Sequence, residues 1–178
     1  IQLCLMTAQI ANGGYKITPK ILTDDIQLTS EQIKKAMKDS ELNNYNVPLY
    51  DDQRNIKIVQ EAMFSSTNEL RGTSYKSRIE DPKYQFAGKT GTAQVKRISK
   101  RERELDLKTS QIPYEERDHA LYVAFGPYRN PRYATSIIVE HGGSGSKAAA
   151  PMAKKIFKLL IDRHDLRENF KEKEYLDI

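Results

Sequence analysis

Leu121-Tyr122-Val123-Ala124-Phe125, then Gly126-Pro127-Tyr128-Arg129-Asn130-Pro131, then Tyr133-Ala134-Thr135-Ser136-Ile137-Ile138-Val139 is the stretch on which the fold turns. Two runs of aromatic and β-branched residues flank a Gly/Pro/Asn cluster, the pattern of an antiparallel hairpin. A third strand is read upstream, over residues 86–95. Downstream, His141-Gly142-Gly143-Ser144-Gly145-Ser146 feeds a helical pattern from Ala148 to Ile161, with Met152, Ile156, Leu159 and Leu160 predicted inward. Beyond it, residues 162–178 form a mostly charged tail that is expected to fray. The fold class expected is α/β of the α+β kind: an antiparallel sheet of 86–95, 121–125 and 133–139, flanked by helices. The helices 1–12 and 148–161 are expected to pack together on one face, because a hairpin alone buries too little apolar surface.

The N-terminal half reads as helices and connections. Leu3, Met6 and Ile10 recur at helical spacing, and Asn12-Gly13-Gly14 supplies a C-terminal stop. Tyr15 to Leu22 alternates like a short extended piece bent at Pro19. Thr29-Ser30-Glu31-Gln32 resembles a capping box opening a helix through Ile33, Ala36 and Met37, and Leu42 to Pro48 is Asn-rich loop. Asp51 is expected to cap a stronger helix whose Ile56, Val59, Ala62 and Met63 share a face, ending near Asn68 before a turn at Gly72.

Composition narrows the class. The 178 residues make one ordinary domain, 38% hydrophobic and 30% charged, with mean hydropathy −0.69. No apolar run approaches the roughly 18 residues a membrane span needs. The net charge of +5 comes with both signs interspersed, which argues against a nucleic-acid partner. The single Cys4 sits among Leu3, Leu5 and Ala8 as a structural thiol. His119, His141 and His164 lack metal-ligand spacing, so neither metal nor cofactor is expected. Ile1-Gln2-Leu3-Cys4-Leu5-Met6 has no basic n-region and reads as mid-helix, so the chain is expected to be a piece of something larger.

Chemistry concentrates in Lys89-Thr90-Gly91-Thr92-Ala93-Gln94-Val95. Strand alternation places Ala87, Lys89, Gly91, Ala93 and Val95 on one face, where an ammonium in an apolar row needs acceptors. Gly91 permits close approach of another backbone. Thr90 and Thr92 offer hydroxyls on the other face, and an edge strand has free N–H groups for an anion or an extended peptide. The charged stretch from Lys96 to His119 follows, with seven basic and six acidic residues. It reads as a solvated excursion or, more sharply, as a lid or partner-docking loop.

Ala87-Gly88-Lys89-Thr90-Gly91-Thr92-Ala93-Gln94-Val95 follows the Ala11-Asn12-Gly13-Gly14 helix end, Pro19 and the Gly72-Thr73 turn. Ahead of it lie Ala124-Phe125-Gly126-Pro127-Tyr128 and Glu140-His141-Gly142-Gly143. In that order the chain resembles the C-terminal part of the transpeptidase domain of class B penicillin-binding proteins, nearest to the cell-elongation branch, over residues 1–161. The resemblance implies the C-terminal portion of a β-lactamase/transpeptidase-like fold. It also implies a serine-type D,D-transpeptidase that cross-links peptidoglycan stem peptides through an acyl-serine and binds β-lactam antibiotics. Lys89 would hold the serine of the family's S-x-N box and add positive charge. Thr90 and Thr92 would bind a carboxylate, the Thr92 N–H would form half of the oxyanion hole, and Gly91 would let an acyl chain lie against the strand. Elongation-machinery membrane proteins would be partners. The location implied is the periplasmic side of the bacterial inner membrane, anchored by an N-terminal segment not in this chain.

Ser144-Gly145-Ser146-Lys147 fits S-x-x-K and Ser66-Thr67-Asn68 fits S-x-N, but the family places S-x-x-K first and K-T-G last. Both read as helix-end compositions, so the nucleophile is expected upstream of Ile1 and the chain alone is expected to be inactive. The rival readings are a serine β-lactamase-related enzyme and a non-catalytic peptidoglycan-binding module.

Overall fold

The computed structural model describes residues 1–19, 48–97 and 107–176, with side chains through residue 166. Its elements are α1 (Gln2–Ala11), α2 (Gln53–Asn68), β1 (Ala87–Ala93), β2 (His119–Gly126), β3 (Tyr133–Val139) and α3 (Ala150–Leu176). The strands form one antiparallel sheet in the order β1-β2-β3. Ala87 pairs with Phe125 and Ala93 with His119, while Ala120 pairs with Val139 and Gly126 with Tyr133. The expected hairpin is present, and its turn contains a cis Gly126–Pro127 bond. The capping-box helix and residues 20–22 and 42–47 lie outside the described residues, as do 98–106 of the charged excursion.

Alternate residues of β2 enter two different cores. Tyr122 and Ala124 pack with Phe86, Ala149, Ala150, Ala153, Phe157 and Ile161, which is the α3 side. Phe125, flanked by Val123, packs with Ala87 and Met63, against Ile10, Ala11 and Phe64 of the other helices. Successive strand side chains point to opposite faces, so α1 and α3 cover opposite sides of the sheet. The expectation that these helices pack together on one face is therefore wrong. The hairpin has two apolar faces, and each takes its own helix.

Helix ends and stripes also differ in detail from the sequence reading. Asp52, not Asp51, caps α2, its carboxylate accepting from the Arg54 N–H at 2.9 Å. The inward stripe of α2 is Ile56, Gln60, Met63 and Thr67; Val59 and Ala62 are exposed. Gln60 turns inward because its side-chain amide donates to the C-terminal carbonyls of α1, at 2.7 Å to Ile10 O and 3.3 Å to Ala11 O. In α1 the buried residue is Thr7, which hydrogen-bonds Leu3 O at 2.7 Å, whereas Leu3 and Met6 are exposed. Cys4 is a free, half-buried thiol donating to Ala134 O at 3.4 Å.

The closing helix runs further than expected in both directions. Residues Gly145–Ala149 form a π-helical turn that leads directly into α3, and α3 continues through the charged tail to Leu176. Helix-forming residues without Gly or Pro make continuation cheap. Three side-chain contacts then hold its first extra turn: Tyr84 donates to Asp162, Lys83 pairs with Asp165 at 2.7 Å, and Tyr133 meets His164 at 2.9 Å. Met152 and Leu159, expected inward, are exposed; Ala153, Phe157 and Ile161 carry the core.

Candidate active site on the K-T-G strand

β1 is shorter than 86–95, and its buried part is Ala87 and Gly88. Gly88 lies under the ring of Tyr122, where an added Cβ would come within 2.3 Å of the phenol oxygen. Tyr122 is fully buried, and its hydroxyl meets Thr67 at 2.9 Å and Ser74 at 3.1 Å. Burial raises the phenol's pKa above its ordinary value, against the smaller opposing effect of the Ser74 and Thr67 hydrogen bonds. Thr67 also donates to Gly88 O at 3.4 Å, and the Asn68 amide donates to Phe86 O at 3.0 Å. The Ser66-Thr67-Asn68 stretch is thus a clasp between α2 and the strand, which explains its composition.

The strand's polarity follows from that clasp. Peptide groups along a strand alternate in direction, and the carbonyls of Phe86 and Gly88 face away from β2 toward α2. The Thr90 carbonyl faces the same way and accepts from Lys89 Nζ at 2.9 Å. By the same alternation the Thr92 N–H points to that outer edge. Lys89 is exposed, not set in a buried apolar row, because the apolar face of β1 ends at Ala87 and the strand then leaves the core. Its partner is the Thr90 carbonyl of its own strand.

Thr90 Oγ1 lies on the opposite face from Lys89 and contacts Thr73 Oγ1 at 3.3 Å. Thr92 is exposed, and Gly91 is half-buried. Another backbone does approach Gly91: a Cβ added to Gly145 would lie 2.8 Å from Gly91 O and 2.4 Å from Leu121 O. The turn that starts the closing helix therefore rests directly on the K-T-G strand. In that turn Ser144 Oγ meets Ser146 Oγ at 3.1 Å, and the Lys147 side chain is exposed. Among the described residues Ser144 Oγ pairs with Ser146 and not with a lysine ammonium, in keeping with a helix-entry role.

The described part of the excursion is folded. Residues 109–111 and 114–116 are single 3₁₀ turns. Glu116 pairs with Lys96 at 2.6 Å, and the Gly143 N–H donates to Asp118 O at 2.8 Å. His141 holds a left-handed backbone (φ 54°) between Arg117 O, at 3.1 Å from its Nδ1, and His119, whose Nδ1 accepts the His141 N–H at 3.0 Å. Tyr114 stacks nearby, with ring centroids 4.9 Å apart. Reading Lys96–His119 as a solvated excursion misses this docking of its described part, because the partners are His141 and the Gly143 turn, more than twenty residues further along the chain. Among the described residues, no group of three or more His, Cys, Asp or Glu is arranged around a cation, and no helix is long and apolar enough to cross a membrane.

An antiparallel sheet with helices on both faces and a K-T-G strand at its edge defines a class. The profile described as penicillin binding protein transpeptidase domain matches residues 1–158, and the chain belongs to that family. Its relatives point more narrowly. The chain is 32% identical to a peptidoglycan D,D-transpeptidase MrdA of Haemophilus influenzae over 167 residues, 86% of this chain and 25% of the relative. It is 35% identical to the MrdA of Acinetobacter baumannii over 159 residues, 88% of this chain and 21% of the relative. Among solved structures it resembles Pseudomonas aeruginosa PBP2 in complex with WCK 5153, with TM-score 0.59 and 30% identity over 87% of this chain and 28% of that one. It also resembles the PBP2 of a Helicobacter pylori PBP2–MreC complex, with TM-score 0.60 and 27% identity over 89% of this chain and 24% of that one. The chain spans about a quarter of the length of the curated relatives it matches.

Proposed function

We propose that this chain is the C-terminal part of the transpeptidase domain of a penicillin-binding protein 2-type enzyme, a peptidoglycan D,D-transpeptidase that acts through an acyl-serine. One observation carries the reading: the outer edge of β1 turns the peptide groups of Thr90 and Thr92 outward beside the exposed Lys89 ammonium. An edge of that kind can hydrogen-bond an extended stem peptide as an added strand. In this reading the Thr90 and Thr92 hydroxyls bind the carboxylate of a stem peptide or β-lactam. The Thr92 N–H, on the outward-facing set, is half of the oxyanion hole. Lys89 adds positive charge and holds the S-x-N serine. The nucleophilic serine and the S-x-N box belong to sequence upstream of this chain.

Partners follow by analogy. A PBP2 in complex with MreC supports elongation-machinery membrane proteins as binding partners. A peptidoglycan substrate supports a location on the periplasmic side of the inner membrane, with an anchor outside this chain.

The test is covalent labelling of the full-length protein with a fluorescent penicillin. Lys89→Ala is expected to slow acylation at least about tenfold, the value of one charged hydrogen bond of ~1.5–3 kcal/mol. Lys147→Ala is expected to leave it unchanged, and the isolated chain is expected to remain unlabelled. Equal losses from Lys89→Ala and Lys147→Ala would remove the strand edge from the site. Labelling of the isolated chain that is abolished by Ser144→Ala would make that serine the nucleophile.

A further inference from the structure

The clasp between α2 and β1 has two tiers. The inner tier is buried: Thr67, Ser74 and Tyr122 around Gly88. The outer tier is a line of three hydroxyls at the surface. Ser66 Oγ lies 3.2 Å from Thr73 Oγ1, which lies 3.3 Å from Thr90 Oγ1.

Each hydroxyl has one proton to donate and lone pairs to accept. Thr90 can direct its proton at an anion only if it accepts, rather than donates, along the line. Thr73 must then donate to Thr90, and Ser66 must donate to Thr73. The reverse polarity would turn the Thr90 proton toward Thr73 and present a lone pair to the anion. An anion at the strand edge therefore selects one polarity for all three hydroxyls, and cooperative polarisation strengthens the last donor in the row.

Thr73 is held firmly enough for this. The Ser74 N–H and Oγ–H both donate to Ser66 O, each at 3.0 Å. Gly72 packs so tightly on the helix end that an added Cβ would lie 2.3 Å from Ser66 O. The turn cannot drift from the strand without breaking these bonds and the buried tier beneath them.

We infer that Thr73 is a positioning residue: through a Ser66–Thr73–Thr90 hydroxyl relay it orients the Thr90 proton toward the carboxylate of the substrate or antibiotic. The inference rests on the reading of Thr90 as a carboxylate-binding group. No bond other than hydrogen bonds is made or broken, and no proton leaves the relay.

The test uses the full-length protein and two probes, a penicillin and its methyl ester, which lacks the anionic carboxylate. Thr73→Val removes the hydroxyl while keeping the shape, and is expected to slow acylation by the free acid about fivefold, as expected for a weakened charge-assisted hydrogen bond. Thr73→Ser should restore the rate to within about twofold of wild type, since the relay needs only the hydroxyl. With the ester, wild type and Thr73→Val should react at the same rate. Equal slowing with acid and ester would mark a purely structural role and overturn the relay, as would no slowing with the acid. Ser66→Ala, one step further out, gives a second reading if Thr73→Val fails to fold: a smaller loss, on the acid alone, is expected, and no loss counts against the relay. A wild-type protein acylated by neither probe would overturn the transpeptidase reading, whereas an acylated wild type matched by Thr73→Val would overturn the relay alone.

Discussion

The two faces of the sheet are built to different standards. On the α3 side, Phe86, Tyr122, Ala149, Ala153 and Phe157 have no exposed surface, and the Phe86 and Phe157 rings stack with centroids 5.0 Å apart. On the α1/α2 side, Ala87 and Phe125 are equally closed, but the two buried apolar residues of α2, Ile56 and Met63, each retain 6%. The strand that carries the candidate site belongs to both, held through Gly88 on one side and through Ala87 on the other. The difference teaches that the K-T-G strand is anchored by one dense core plus a polar clasp, with the second face contributing less.

Core truncation should show the largest contrast. Phe157→Ala is expected to cost about 3–5 kcal/mol, because its ring fills a closed space between Phe86 and Gly126. Met63→Ala is expected near the lower end of the range for such residues, about 2 kcal/mol, because its surroundings can relax toward solvent. Denaturant midpoints of the two variants in the full-length protein would settle it, and equal losses would erase the distinction between faces.

A middle-sized effect is expected at the clasp. Tyr122→Phe removes the hydroxyl shared by Thr67 and Ser74 and should cost about 1–2 kcal/mol. It also changes the response to alkali. Because burial raises the Tyr122 pKa in the folded state, its contribution is complete below the ordinary phenol value of ~10 and is lost as pH rises from there toward the folded value. Melting curves should therefore fall less steeply above about pH 10 in Tyr122→Phe than in wild type. Identical slopes would mean that the phenol is not the group responsible.

The smallest effect is expected at the surface of α3. Lys83 is exposed and Asp165 half-exposed; the ammonium donates to the carboxylate, which raises the lysine pKa and lowers that of the aspartate. Solvent screening leaves such a pair little net stability, so Lys83→Ala should move the melting temperature by no more than about 1 °C. A shift as large as that of Tyr122→Phe would show the extended helix to be held by charge rather than by the core beneath it.

How far the sequence could be read depended on the range of the interaction. The hairpin was legible because its strands and turn are contiguous, and so was the K-T-G strand. The placement of α1 and α3 was not, since the β2 run Leu121 to Phe125 is apolar at every position and has no polar side to point outward. Lys89 was read as part of a buried row because alternation gives a residue's face but not how far along the strand the covering helices extend. In the sequence Thr73 stands only as part of a turn. Its contact with Thr90, about 60 Å of extended chain away at ~3.5 Å per residue, arises from the α2 clasp, and no local pattern encodes it.

Among the described residues β3 has a strand neighbour on its β2 side alone, and Ile138 on it is 57% exposed. In preparative terms, that edge expressed by itself offers backbone groups with no strand partner among the described residues beside an apolar side chain, which is a template for edge-to-edge self-association. Ile138→Lys would blunt that edge while touching neither core nor K-T-G strand.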